Sequence, residues 1–242
     1  MASIMEAEDR HGAMADDTAG GSYPPFDAAT ADGRIVLFAL EGNIGVGKST
    51  IMEALKERYA DDRNVAFVDE PVKEWEERGF LKRMYDEPAS RPAFQHMVLM
   101  SLAGDLLKTV ARKPRPRIVI TERSPWGNYH VFGKANLTGN DLKMYEYTWE
   151  HVTAGLPSEL HLKVLWLDAS VETAQARMQG RDRAAEGGVP VEYLQTLQRL
   201  HEAWLDTDMD MSRPVRVRID ANRTHEEVLQ EVCDAVHVLS MT

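Results

Sequence analysis

The sequence predicts an α/β protein, a doubly wound five-stranded parallel sheet with flanking helices built around a phosphate-binding loop. Three observations predict it. Five short runs are rich in aliphatic and β-branched residues: "RIVLFAL" (34–40), "NVAFVD" (64–69), "RIVIT" (117–121), "HLKVLWLD" (161–168) and "VRVRID" (215–220). Most lack the strict polar alternation of a half-exposed strand, as expected when helices cover both faces of a sheet. Segments with helical spacing separate the runs, which favours parallel crossovers over hairpins. A glycine-rich loop follows the first run directly.

Taken in chain order, residues 1–33 read as a disordered acidic tail. The first 32 residues hold seven Asp or Glu against one Arg and are otherwise small and polar. A transit peptide would be Arg-rich and a secretory signal would carry a longer apolar stretch, so cytoplasm is the expected location, with the nucleus open. A single domain is expected over 34–242. After the first strand comes the helical segment "STIMEALKERYA", and after the second "PAFQHMVLMSLAGDLLKTVAR". "ARKPRPR" (111–117) carries two prolines and reads as a loop into the third strand. "LKMYEYTWEHVTAG" follows the third strand; "SVETAQARMQG" and "PVEYLQTLQRLHEAWL" follow the fourth. "THEEVLQEVCDAVHVL" closes the chain, with Thr224 as N-cap and Glu227 as its capping-box partner.

The bulk numbers narrow the function. A hydrophobic fraction of 43% and a charged fraction of 28% suit a soluble globular chain with an ordinary core. A formal net charge of −11 argues against a nucleic-acid partner, since phosphate backbones are held by excess Lys and Arg. A small phosphate ligand needs only local positive charge. Cys233 is the single cysteine, so no internal disulfide can form. No run of 18 apolar residues is present, so no membrane partner is expected.

Gly42-Asn43-Ile44-Gly45-Val46-Gly47-Lys48-Ser49 fits the phosphate-loop pattern G-x-x-x-x-G-K-[ST]. Chance would produce such a match in about one chain of this length in a hundred. Glycines let the backbone curl tightly and approach a ligand. Successive N–H groups, with the start of the following helix at Thr50, then converge on an anion. Lys48 is placed to reach the β- and γ-phosphates and Ser49 to ligate Mg²⁺. The pattern implies nucleotide binding but names no reaction. No N-K-x-D segment marks a GTPase, and the third strand ends in "ITERS", not in the acids of an ATPase motor.

In open α/β sheets, ligands sit beyond the carboxyl ends of the strands. Those ends carry the glycine loop, "DEPVKEW" with Glu70 and Trp75, "TERSPW" with Glu122 and Arg123, and, beyond a helix, "RMQGRDRAAEGG" with Arg177, Arg181, Arg183 and Glu186. A carboxylate base, a second acid, an aromatic platform and a cationic loop are the parts that phosphoryl transfer to an alcohol requires.

"EGNIGVGKST", "EPVKEW", "FQ", "ERSPW", "RDRAAEGGVPVEYLQTLQRLHEAWL" and "IDAN" occur in this order. Together they resemble the cellular-type deoxynucleoside kinases: deoxycytidine, deoxyguanosine and mitochondrial thymidine kinases and the broad-specificity insect enzyme. The resemblance spans roughly residues 34–240 and implies an ATP- and Mg²⁺-dependent kinase with an arginine-rich lid, acting on a deoxynucleoside as a homodimer. It implies Glu70 as general base, Glu122 with Ser49 on Mg²⁺, and Arg123 on the 5′-oxygen and transferred phosphate. It implies Trp75, Phe94 and Gln95 around the base, Tyr85 and Glu186 on the sugar 3′-hydroxyl, and Arg177, Arg181 and Arg183 over the donor phosphates. Core packing for Trp75 and Phe94, and surface roles for the polar residues, are the alternatives from the residues alone.

The chain departs from the family pattern in three places. Ala185 stands where a second lid acid is usual, the spacing from Tyr85 to Gln95 is one residue short, and Tyr129 occupies a position where Arg is expected. The charge pair that narrows the deoxycytidine kinase pocket is replaced by Leu102 and Asn128. With Val98 one turn after Gln95, this suggests an apolar pocket that accepts the thymine methyl. Thymidine is therefore the expected substrate. A purine preference, a thymidylate-type monophosphate kinase and a non-catalytic nucleotide-binding module are the rivals. A cationic site for an acceptor phosphate is missing where Glu70 stands.

Overall fold

The structure is a computed structural model that describes residues 33–180, 189–205 and 214–241. Its centre is one sheet of five strands: β1 (Ile35–Glu41), β2 (Val65–Val68), β3 (Ile118–Glu122), β4 (Leu160–Asp168) and β5 (Val215–Asp220). The strand order is β2-β3-β1-β4-β5 and every pairing is parallel. All five strands fall where the aliphatic runs predict them.

β1 is buried along its whole length, because helices cover both sides of it. Its alternate residues feed two cores. Val36, Phe38 and Leu40 pack with Ile51, Met52 and Leu55 of α1 (Lys48–Arg58) and with Val228, Val232 and Val236 of α10 (His225–Ser240). Ile35 and Leu37 face the other way, onto Leu106 and Val110 of α4 (Arg91–Val110). Each large aliphatic side chain so buried contributes about 1.5–3 kcal/mol. The predicted capping box is formed: the Thr224 hydroxyl accepts from the Glu227 backbone N–H, and the Glu227 carboxylate accepts in return.

The order in which strands are added reverses about β1. β2 and β3 lie on one side, β4 and β5 on the other, and Leu40 is paired with Glu122 in register. The neighbouring carboxyl ends of β1 and β3 form the crevice in which this class of sheet binds ligands.

Several helices escape the sequence reading. α2 (Val72–Glu77) and α3 (Phe80–Asp86) are short and meet at Gly79, whose φ of 72° breaks the helical path. Neither is long enough to display a helical period. α5 (Pro125–Gly127) runs into a π-helical stretch, Asn128–Gly133, and then α6 (Lys134–Asn136). The longer helices are α7 (Gly139–Ala154), α8 (Val171–Gln179) and α9 (Val191–Leu205). Among the described residues no helix is long and apolar enough to cross a membrane. The acidic tail, but for Gly33, lies outside the described residues, as do Arg181, Arg183, Ala185 and Glu186.

Candidate functional site

The glycine loop joins β1 to α1. Gly42, Gly45 and Gly47 all hold positive φ, at 145°, 83° and 106°. Space demands glycine at two of them as well: a methyl on Gly42 would overlap the Leu167 carbonyl, and one on Gly45 the Ala174 carbonyl. Lys48 is buried, and its ammonium donates to the carbonyls of Gly42 (3.0 Å) and Asn43 (2.8 Å). Burial lowers its pKa to about 8; Arg123 pushes in the same direction, against the pull of Glu122, Glu70 and Glu41.

The loop is tied to its surroundings from both ends. The Asn43 side-chain amide donates to the Leu194 carbonyl (2.8 Å) and its oxygen accepts from the Ile44 N–H (2.9 Å). Arg177, on α8, donates to the Val46 carbonyl (2.8 Å). Thr50 is exposed in the first turn of α1. The Ser49 hydroxyl donates to Glu122 Oε1 (2.7 Å), so the hydroxyl and carboxylate expected on Mg²⁺ are adjacent. Two hard oxygen donors suit Mg²⁺, which completes its shell with waters and substrate phosphates. No group of three or more His, Cys, Asp or Glu gathers into a metal cage among the described residues.

The turn after β3 carries a strained residue. Arg123 has φ 62°, the left-handed region that non-glycine residues avoid, at a cost of about 1–2 kcal/mol. The Arg123 N–H donates to the Leu40 carbonyl (3.1 Å), and the Thr121 hydroxyl donates to the Arg123 carbonyl (2.7 Å). So held, the guanidinium lies 3.6 Å from the centroid of the Phe132 ring and 3.2 Å from Glu70 Oε1. The Arg123 and Glu70 side chains are only 12% and 5% exposed.

A cleft of about 730 Å³, including the solvent at its mouth, runs from this pair into the helices. Ile44, Gly45, Gly47, Lys48 and Ser49 line it together with Glu122, Arg123 and Glu70. Trp75 from α2, Tyr85 from α3, Phe94, Gln95 and Val98 from α4, and Asn128 line it as well. Trp75, Tyr85, Phe94, Gln95, Val98 and Asn128, all expected at the nucleoside from the sequence, therefore line one cleft. The Trp75 and Phe94 rings meet edge to face at 5.8 Å. Gln95 is 1% exposed and its Oε1 has no hydrogen-bond partner. The Asn128 amide donates to the Tyr145 hydroxyl (2.6 Å) and reaches the Gln95 carbonyl (3.4 Å), while its Oδ1 also lacks a partner.

Two residues that the sequence reading singled out stand away from the cleft lining. Leu102 is not on the cleft wall; it sits in the core cluster behind Val98, one helical turn further along α4. Tyr129 does not line the cleft. Its ring stacks on Trp149 at 4.2 Å and its hydroxyl donates to Glu146. Sequence reasoning also missed Phe132 and Tyr193, which complete the cleft, and Glu41, which is wholly buried beside the Arg123 turn. Phe132 lies in the π-helical stretch, where no regular period marks a face. Glu41 was visible as an acid at the end of a buried strand, a position that rarely tolerates one.

An anion cradle, a hydroxyl–carboxylate pair for a cation, and a carboxylate–guanidinium pair beside an aromatic slot together suit transfer of a phosphoryl group to an alcohol. The model of the deoxynucleoside kinase family matches residues 38–239. The thymidine kinase of Ictalurid herpesvirus 1 (strain Auburn) is 32% identical over 208 residues, covering 82% of this chain and 85% of that protein. The deoxycytidine kinase of Homo sapiens is 28% identical, covering 89% and 95%. The mitochondrial deoxyguanosine kinase of Xenopus laevis is 26% identical, covering 71% and 74%. The chain belongs to the deoxynucleoside kinase family and is an ATP-dependent deoxynucleoside kinase.

Proposed function

We propose that this kinase transfers the γ-phosphate of Mg²⁺-bound ATP to the 5′-hydroxyl of thymidine in preference to other deoxynucleosides, supplying a 5′-monophosphate for nucleotide salvage. The observation that carries the reading is the Glu70–Arg123 pair, set in one cleft with the glycine loop and the unpartnered Gln95 amide oxygen. Glu70 accepts the 5′-hydroxyl proton as the oxygen attacks. Arg123 stabilises the charge that gathers on the transferred group. Lys48 and the loop N–H groups hold the donor phosphates, and Ser49 with Glu122 holds Mg²⁺, which neutralises phosphate charge. Arg177, Arg181 and Arg183 close over the donor, and Tyr85 and Glu186 hold the 3′-hydroxyl. A carboxylate at position 70 suits an uncharged alcohol and repels an acceptor that already bears a phosphate, which disfavours monophosphate kinase activity.

Val98 supports thymidine because it offers the 5-methyl group an apolar wall. Gln95 suits any base edge, since its amide both donates and accepts. A second reading rests on Asn128, whose unpartnered Oδ1 suits the exocyclic amine of cytosine or adenine better than the 4-oxygen of thymine. Measuring kcat/KM for the four natural deoxynucleosides decides between them. Thymidine leads in the first reading; deoxycytidine or deoxyadenosine leading by tenfold sinks it.

A homodimer through α4 and α7 belongs to the same proposal. These helices pack together and expose Met100, Leu107, Met144 and Tyr147. Sedimentation of the protein tests it: a monomer at micromolar concentration defeats it.

A further inference from the structure

We infer that Glu41 is a positioning residue that holds the turn at Arg123 through Ser124 and thereby keeps the Arg123 guanidinium against Glu70. The inference rests on the reading of Arg123 as the group that acts on the transferred phosphate.

Glu41 is the last residue of β1 and is 0% exposed. A carboxyl so placed is costly unless hydrogen bonds or an ion partner offset its burial, and Glu41 Oε2 has no hydrogen-bond partner. Its hydrogen-bond partner is a hydroxyl: Ser124 Oγ donates to Glu41 Oε1 at 2.6 Å. The same Ser124 Oγ accepts from the Gly127 N–H (3.1 Å) and so caps α5. Glu41 thus anchors the residue that follows Arg123, while the adjacent Leu40 anchors Arg123 itself through its carbonyl. The left-handed backbone of Arg123 is held from both of its flanks by consecutive residues of one rigid central strand. Burial raises the Glu41 pKa to about 7, against the hydrogen bond from Ser124 and the nearby Arg123 and Lys48.

Gly127 supplies independent evidence. Its φ of −60° and ψ of −38° are ordinary helical values that any residue adopts, so conformational freedom does not explain a glycine there. Space does. A methyl group on Gly127 would overlap the carboxyl group of Glu41. The α5 turn and the Glu41 side chain are packed as one unit, carboxyl against bare Cα.

The test uses the full chain, with kcat, both KM values and Tm measured for each variant. Glu41→Leu fills similar space but accepts no hydrogen bond, and we expect kcat to fall about tenfold or more while Tm holds. Glu41→Gln keeps an oxygen for Ser124 and should recover kcat to within about threefold of the parent, with both KM values little changed. A Glu41→Leu variant whose kcat stays within about twofold of the parent overturns the inference. So does equal loss in the Leu and Gln variants with KM for ATP rising in step, since that pattern describes a disturbed glycine loop. Where Glu41→Leu does not fold, Gly127→Ala decides. It should lower kcat alone but add no further loss to Glu41→Ala, because truncation makes room for the methyl; additive losses overturn the inference. Arg123→Ala separates the two readings. If it retains the parent rate, the role given to Arg123 fails and the positioning role fails with it. If it loses the rate while Glu41→Leu does not, positioning alone fails.

Discussion

On the proposed reading, the donor end and the acceptor end of the cleft are built on different principles. The donor end is made mostly of backbone, local in sequence, and internally satisfied. Lys48 donates to its own loop, Arg177 and Asn43 tie that loop to α8 and α9, and Ser49 is paired with Glu122. The acceptor end is made of side chains from α2, α3, α4, the π-helical stretch and α9, with two buried amide oxygens, those of Gln95 and Asn128, left unpartnered. A phosphate is the same in every nucleotide, so a fixed backbone cradle serves it. A base differs between nucleosides, and reading it calls for side chains whose polar atoms are held open for the ligand. On that reading Glu70 and Arg123, a buried pair, join the two ends.

Four experiments break or sharpen this contrast. The largest effect is expected at the junction. Glu70→Gln should lower kcat by about 10²–10⁴ while leaving ATP binding intact, as read by single-turnover kinetics and nucleotide titration. A near-parental rate would remove Glu70 as the base. Next, Gly45→Ala attacks the donor end only. The substitution adds a methyl where φ is 83° and the Ala174 carbonyl blocks it, so ATP binding should weaken by about tenfold to a hundredfold. Nucleoside affinity measured without ATP should hold; a parallel loss of both would show the two ends to be one cooperative unit.

Gln95→Leu makes the converse cut. On the proposed pairing of Gln95 with the base, losing its buried amide should reduce kcat/KM for the nucleoside by about tenfold to a hundredfold, with KM for ATP unchanged. The smallest effect concerns the packing beneath both ends. His201 of α9 is wholly buried, its ring meets Phe132 edge to face, and burial lowers its pKa from 6.5 to about 3. Between those values the unfolded chain binds the proton more readily, so this histidine's contribution to stability is present above pH 6.5 and is lost as pH falls toward 3. The slope approaches about 1.4 kcal/mol per pH unit. Thermal unfolding from pH 7 to pH 5 should therefore drop less steeply in His201→Gln than in the parent.

Much of this architecture is legible before folding. The aliphatic runs locate all five strands because both faces of a parallel sheet demand apolar residues, and the Thr224–Glu227 box marks the start of α10 because a cap is a contact across three residues. The acceptor side was legible only where a resemblance carried it. Trp75, Phe94 and Gln95 look like core or surface residues until α2 and α4 bring them to one cavity. Phe132 and Tyr193 gave no local sign at all, and Leu102 was placed on a wall that it stands behind.

The sequence by itself determined the parallel sheet and the phosphate cradle, since hydrophobic period and glycine torsion are properties of neighbouring residues. Tertiary structure alone decided which side chains line the cleft, how Arg123 is aimed, and that the Glu41 carboxyl fills the space a side chain at Gly127, 86 positions away, would need. The reason is physical: contacts between distant segments exist only after the sheet has formed, and nothing in a local run of residues encodes which space another segment will occupy.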